Sequence, residues 1–474
     1  MLAQLIAVAP MLVIACAITL GMLLIAITRS QRLIHAFSVI SLLIAAVITI
    51  LLLSNSPVQV TPLVNVSSFG LYAQLLILVS ALMTTLLSHQ FLLHQIEVHD
   101  EYYLLILLAV LGAMLLVVSD HFAAIFLGFE LLSISLVGLV GYCREARLSV
   151  ETGFKYLVLS AVASSIMLLG IAFIYGDTGT LSVSLLQDKL AASNHFYLAG
   201  LMLFFIGIAF KLSLVPFHLW VADVYQGANT LITMFMATVS KIAMFVVMYL
   251  VSKNILFATV STGYQFIIVM AVLSMIVGNV LAIHQRNIKR ILAYSSIAHM
   301  GYLLVILVAS NKQTFIESDT IALFYLAVYS LATISIFYVV HKLNGAELNE
   351  PNQGIEIFTG LFWRNKIFAV LITLSLLSLA GVPLTGGFFG KFYLVGYVTV
   401  ISEWALLGAI ILGSGLGIYV YLKLIVLVFM DVQENADAKS GVRYSPLLVQ
   451  ILIFLSLLVG VYPEVLMRFI TVSG

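Results

Sequence analysis

IGIAFKLSLVPFHLWVADVYQGANTLITMFMATVSK (Ile206–Lys241) decides how the rest of the chain is read. Lys211 stands in an otherwise apolar run, Pro216 follows shortly after, and His218 comes next. A polar break spans Asp223–Thr230, and a second apolar run carries Lys241. A lysine at the middle of a bilayer costs about 2.5–3.5 kcal/mol on insertion scales. A proline inside a helix frees a backbone carbonyl that hydrocarbon cannot hydrate. Together they point to a working site inside a membrane. The plainer alternative is a kinked span whose lysine reaches toward the interface.

The composition agrees. Of 474 residues, 63% are hydrophobic and 9% charged, against about 45–50% and about 25% in soluble domains. A bilayer can absorb that much apolar surface, and a single soluble core cannot. The first apolar run, Leu2–Ile27, is long enough to span and shows no small-residue cleavage pattern. The two cysteines, Cys16 and Cys143, are too few for an iron–sulfur cluster, and no Cys/His spacing fits zinc. There is no nucleotide-binding fingerprint and no nucleic-acid patch.

Working outward from 206–241, about fourteen apolar runs reach the roughly 20 residues that a spanning helix needs. They cover 2–27, 33–53, 69–92, 102–118, 121–142, 154–175, 196–220, 230–251, 264–284, 289–309, 320–341, 366–398, 404–430 and 446–468. The expected fold is all-α: one polytopic membrane domain over 1–474. Two runs are interrupted. The seventh holds Lys211, Pro216 and His218; the twelfth holds Gly381, Pro383, Gly386, Gly387 and Gly390, followed by Lys391. Interrupted segments in corresponding positions mark the working site of a transporter built from repeats. They lie five positions apart, which fits two inverted five-helix repeats, helices 4–8 and 9–13, with discontinuous helices 7 and 12. The expected divisions are 1–92 (helices 1–3), 100–253, 264–430 and 446–470 (helix 14).

Orientation follows from lysine and arginine. With both termini outside, twelve of the 21 fall in inner loops and four in outer loops. The inner turn HQRNIKR (His284–Arg290) most simply fixes topology and also suits anionic lipid or a partner. His89, His94 and His99 are spaced by five and read as part of a solvated inner loop, since a metal site on one helix face needs spacings of three or four. A small outer helix is expected before His195, from LSVSLLQDKL and SNHF.

Inside the predicted spans lie Glu130, Lys155, Lys211, Lys241, His299, Lys391 and Lys423. Lipid does not tolerate them, so they face protein or water. A carboxylate moving relative to a lysine loads or unloads a proton. Glu130 is therefore the candidate modulator of Lys211, and Lys211, Lys241, His299 and Lys391 form the candidate relay. His218 follows the break and is a secondary candidate. Lys155 and Lys423 lie near inner ends, where reaching to the interface explains them equally well.

FKLSLVPFHLWVADVYQGA (210–228), RNIKRILAYSSIAHMGY (286–302), SLAGVPLTGGFFGKFY (378–393) and FLGFELLSISLVGLVGY (126–142) resemble the antiporter-like membrane subunits of proton-pumping NADH:quinone oxidoreductase, respiratory complex I. The resemblance runs over nearly the whole chain. Within the family the chain is most similar to the N type. It stops after helix 14 with no long lateral helix, and it carries Lys391 where the M type has a glutamate. The resemblance implies that Glu130, Lys211, Lys241 and Lys391 are the proton-moving groups. It implies no cofactor on this chain, with flavin, iron–sulfur clusters and quinone on partner subunits of a large membrane-arm hetero-oligomer. It places the chain in a bacterial inner membrane with both termini periplasmic. Two positions depart from the family's pattern: Asn229–Thr233 stands where prolines are frequent, and Ser135 near a frequent proline. The alternatives are a subunit of a multisubunit cation/proton antiporter, or a scaffold whose buried charges are structural.

Overall fold

A computed structural model describes residues 2–55, 58–92, 100–143, 147–186, 195–255, 261–309, 317–344, 354–431 and 445–471. The helices are α1 (Leu2–Ala7), α2 (Ala9–Ile27), α3 (Gln31–Leu52), α4 (Ser68–Leu92), α5 (Glu101–Leu116), α6 (Phe122–Val140) and α7 (Arg147–Thr178). Then come α8 (His195–Leu212), α9 (Leu219–Gly227), α10 (Thr230–Phe235), α11 (Lys241–Ile255), α12 (Ser261–Ile283), α13 (Ile288–Ala309) and α14 (Ser318–Asn344). The last are α15 (Leu361–Arg364), α16 (Lys366–Ala380), α17 (Gly386–Ile401), α18 (Trp404–Phe429), α19 (Pro446–Val461) and α20 (Pro463–Thr471). A π-helical turn over Met236–Ser240 joins α10 to α11, so the eighth run is one continuous element with a bulge just before Lys241.

The chain is helical because hydrocarbon offers backbone groups no partner but each other. The polar side chains along the helices follow the same rule. Ser38, Thr49, Thr84, Thr85 and Ser133 each return their hydroxyl to the carbonyl four residues back. Ser135 does so too, donating to Leu131 O at 2.7 Å, and α6 passes through the position without a break. Where the family often begins its eighth helix with prolines, Asn229 caps α10 by accepting from Leu231 N at 2.9 Å.

Among the described residues, ten helices are long and apolar enough to cross a membrane, or eleven with the bent pair α19–α20. The other three of the expected fourteen runs (102–118, 196–220 and 366–398) form shorter apolar helices. Two of these are the interrupted runs, each divided into two pieces too short to span alone. The fourteenth run bends by 87° between Val461 and Pro463. Residues 58–61 and 64–66, between the second and third runs, pair as an antiparallel hairpin, β1–β2. Of the expected small helix before His195, residues 184–186 make a single 3₁₀ turn, and 187–194 lie outside the described residues. So do His94 and His99; His89 lies in the last turn of α4 and stacks on His35 of α3 with ring centroids 4.3 Å apart.

Burial sorts the spans. In the most apolar stretch of Thr230–Lys253, Ile288–Val308 and Ser318–Asn344 nearly every residue is buried, whereas in Ala9–Ile27 and Trp404–Phe429 about a third are. Thus α10–α11, α13 and α14 form the centre, and the outer helices turn apolar faces to lipid. Small residues let helices approach closely. A Cβ on Gly170 of α7 would stand 2.6 Å from the carbonyl oxygen of Gly200 on α8.

Candidate functional site

The first break lies where α8 ends. Ser213 turns to φ 59°, Leu214 N reaches back to Ala209 O at 2.9 Å, and Val215 N donates to Ser274 Oγ on α12 at 3.0 Å. The helix therefore stops before Pro216, which was expected to break it from within. The Val215–Pro216 peptide is cis, and His218 precedes the first residue of α9. A helix end leaves carbonyls without donors and carries partial negative charge. Lys241 occupies that end. Its Nζ donates to Lys211 O at 3.2 Å, Leu212 O at 2.7 Å and Ser213 Oγ at 2.7 Å.

Lys211, on the last turn of α8, points the other way. Its Nζ donates to Tyr156 Oη at 2.7 Å and Ser160 Oγ at 2.9 Å, both on α7. It lies 5.3 Å from the ring centre of Phe129. Glu130, next along α6, is near enough to act electrostatically on Lys211. Its Oε1 has no hydrogen-bond partner, and no ion pair joins the two among the described residues.

The second break repeats the device. Gly381 (φ 79°) and Leu384 (φ 68°) turn the chain between α16 and α17. Lys391 folds back from α17 to donate to Leu379 O at 3.2 Å and Ala380 O at 2.9 Å. Its Nζ lies 4.9 Å from the ring centre of Tyr302 on α13. Pro383 lies in the connection. Gly386 and Gly387, read as part of the break, are instead the first residues of α17. Gly387 N donates to Ser378 Oγ at 3.2 Å. His299 of α13 stands beside this second centre. Its Nδ1 is 2.9 Å from Tyr325 Oη, and its Nε2 is 3.4 Å from Tyr421 Oη.

The three lysines are 1%, 1% and 8% exposed, in chain order. Each is held by carbonyls, hydroxyls or both, and none by a carboxylate among the described residues. Such a lysine can give up its proton without leaving an unpaired buried anion. That is a property of a proton-exchanging group and a poor design for a structural ion pair.

Other candidates stay apart. Lys155 is exposed and pairs with Glu151 at 2.7 Å on the surface of α7. Lys423 is exposed on α18. His218 is 8% exposed, and its Nδ1 has no partner. Two basic residues of the inner turn, read as fixing topology and as suited to anionic lipid or a partner, tie helices together within the chain. Lys289 is 1% exposed and donates to Ala228 O, between α9 and α10, at 2.8 Å. Arg290 clamps α9 through Asp223 Oδ1 at 2.7 Å and Gln226 Oε1 at 2.9 Å. The sequence also gave no role to Tyr156 and Ser160. Their four-residue spacing, which puts two hydroxyls on one face of α7, was the available signal.

Residues 119–417 match the family model described as NADH:quinone oxidoreductase/Mrp antiporter, transmembrane region. The chain is 40% identical over 469 residues to NADH-quinone oxidoreductase subunit N of Acinetobacter baumannii (strain AB0057), covering 96% of this chain and 93% of that one. Its fold superposes on a chain of respiratory complex I from Thermus thermophilus with a TM-score of 0.82 and 28% identity, over 97% of this chain and 98% of that one. A chain of the Mrp complex from Dietzia sp. DQ12-45-1b shares the fold, with a TM-score of 0.84 at 19% identity over 98% and 96% of the two chains.

Proposed function

The chain belongs to the NADH:quinone oxidoreductase/Mrp antiporter membrane family, and from that premise we propose that it is a proton-translocating, N-type membrane subunit of an NADH:quinone oxidoreductase. Its partners in the membrane arm carry the electron chemistry, with flavin, iron–sulfur clusters and quinone on those chains. This chain moves protons through Glu130, Lys211, Lys241 and Lys391, with His299 beside the second centre. It sits in a bacterial inner membrane with both termini outside, following the lysine and arginine bias.

The observation that carries this reading is the pair of broken helices, each with its carbonyl end capped by a buried lysine that has no carboxylate contact. A charge arriving near Glu130 changes the field at Lys211 without having to break an ion pair. At each break, a lysine that loses its proton keeps two N–H donors but no longer balances the negative helix end with a full charge, so protonation and the hold on the helix end are linked.

NADH-driven acidification of inverted membrane vesicles carrying Lys211→Ala tests the reading, with assembly followed on a native gel. Loss of acidification with the complex intact supports it. Unchanged acidification overturns it and moves attention to NADH-independent cation exchange, the activity of the antiporter alternative.

A further inference from the structure

The last turn of α11 and the first turn of α14 meet in a cluster that the relay does not use. Lys253 Nζ donates to Asp319 Oδ1 at 2.9 Å, and both side chains are partly exposed. Each charge stands at the helix end whose partial charge it balances, the cation at the end of α11 and the carboxylate at the start of α14. An ion pair this exposed is worth little by itself. Beneath it, however, lies Tyr249 of α11, which is buried. Its hydroxyl donates to the same Asp319 Oδ1. The phenol has one hydrogen to give, so Ser318 Oγ, 2.6 Å away, donates to it in turn. A hydrogen bond to a carboxylate is roughly twice as strong as a neutral one, so Asp319 fixes the position of this ring.

The ring completes an aromatic layer. Its centre is 5.1 Å from that of Phe69 on α4 and 6.2 Å from that of Phe245 on α11, and it faces Tyr397 of α17. All four rings are buried. Helix α4 packs on both α11 and α14, and α14 packs on α17. The layer therefore draws on the two helices that carry the lysines. Tyr249 lies eight residues beyond Lys241 and Tyr397 six beyond Lys391, about 12 and about 9 Å along their helices at 1.5 Å per residue. Both intervals run toward the side that the lysine and arginine bias makes the outside. Buried apolar rings exclude water, and a constriction of this kind closes a path by staying dry.

We propose that Tyr249, latched by Asp319 and Lys253, is the moving part of an outer seal that stops protons from running back from outside to Lys241 and Lys391. The proposal rests on the proton-translocating reading and on the orientation given above. Asp319 is a positioning residue: it acts through the Tyr249 ring and touches neither lysine of the two centres. Without its carboxylate the phenol loses the acceptor that holds it, Lys253 loses its counter-charge, and α11 loses its tie to α14. The ring is then free to leave the layer, and water follows from the outer side.

The test measures passive proton entry into proteoliposomes of the assembled complex, without NADH. A potassium diffusion potential drives the protons, and a pH dye inside reports them. Asp319→Ala removes the latch, Tyr249→Phe keeps the ring but frees it, and Asp319→Glu restores the acceptor. Glu464→Ala is the control, because it breaks an exposed ion pair on α20. The expected result is severalfold faster entry in Asp319→Ala and Tyr249→Phe, with Asp319→Glu and Glu464→Ala at the wild-type rate. Wild-type entry in both Asp319→Ala and Tyr249→Phe overturns the seal, even where their unfolding midpoints fall, since that marks a structural tie only. Equally fast entry in Glu464→Ala, or loss of assembly in both Asp319→Ala and Tyr249→Phe, overturns it as well; if Asp319→Ala alone fails to assemble, Tyr249→Phe decides. NADH-driven acidification with Lys211→Ala runs beside these. If that variant cannot acidify while the Asp319 and Tyr249 variants stay tight, the seal falls and the proton-translocating reading stands. If Lys211→Ala acidifies normally, both fall.

Discussion

Gly387 is where the second centre is most sensitive to one added carbon. A Cβ there would stand 1.7 Å from the carbonyl oxygen of Ser378 and 2.7 Å from its carbon. These are backbone atoms and cannot rotate away. Restoring ordinary contact from 1.7 Å requires the two segments to part by about 1.5 Å, in an interior packed as densely as an organic crystal. Overpacking of this kind costs roughly 1–3 kcal/mol. The Gly387 N to Ser378 Oγ bond at 3.2 Å is lost as well, for about 0.5–1.5 kcal/mol. Lys391 lies one turn further on the same face of α17, so the shift stretches its bonds of 3.2 and 2.9 Å to Leu379 O and Ala380 O. Gly387→Ala should therefore destabilise by about 2–4 kcal/mol and uncouple Lys391 from the helix end. The assay is thermal unfolding of the solubilised complex together with NADH-driven acidification. An unchanged midpoint and unchanged acidification would refute both the close approach and its link to the lysine.

Two further predictions follow from burial. Lys155→Ala and Lys423→Ala should leave assembly and acidification at wild-type levels, because both side chains are exposed and away from the buried centres; severalfold loss in either, measured in the same vesicles, would bring it back into the relay. Lys289→Ala should lower the stability of the solubilised complex by about 1.5–3 kcal/mol, the worth of a hydrogen bond to a charged group, since its Nζ holds Ala228 O. Arg29→Ala, on an exposed turn, should stay within about 0.5 kcal/mol; equal effects in denaturation midpoints would contradict the distinction.

Much of the membrane fold was legible because a bilayer imposes a length and a composition, and both are local properties. The interrupted seventh and twelfth runs stood out for the same reason: charge, proline and glycine are conspicuous in apolar sequence. The mode of interruption was not legible. Pro216 suggested a kink inside a helix, yet the helix ends at Leu212 and turns through Ser213. Gly386 and Gly387 looked like part of the break and instead start α17, since a close approach to Ser378 depends on a segment nine residues away. Lys289 and Arg290 looked like loop charges, because counting charges by side of the membrane cannot tell a solvated residue from one that ties two helices together.

The sequence by itself determined that this chain spans a membrane, where it is interrupted, and which ionisable groups hydrocarbon would not accept alone. Those conclusions follow from the cost of moving charge and unpaired backbone out of water, which each segment bears on its own. Only the tertiary structure decided what each group touches. It set Lys241 and Lys391 on the carbonyl ends of α8 and α16, turned Lys211 toward Tyr156 and Ser160, and left Lys155 and Lys423 on the surface. It also gathered tyrosines and serines from α7, α9, α13, α14 and α18 around the centres. A hydroxyl in a helix costs little and leaves little trace in a pattern of hydrophobicity. Its role is fixed by neighbours that lie tens to hundreds of residues away in the chain, brought within hydrogen-bond reach only by packing.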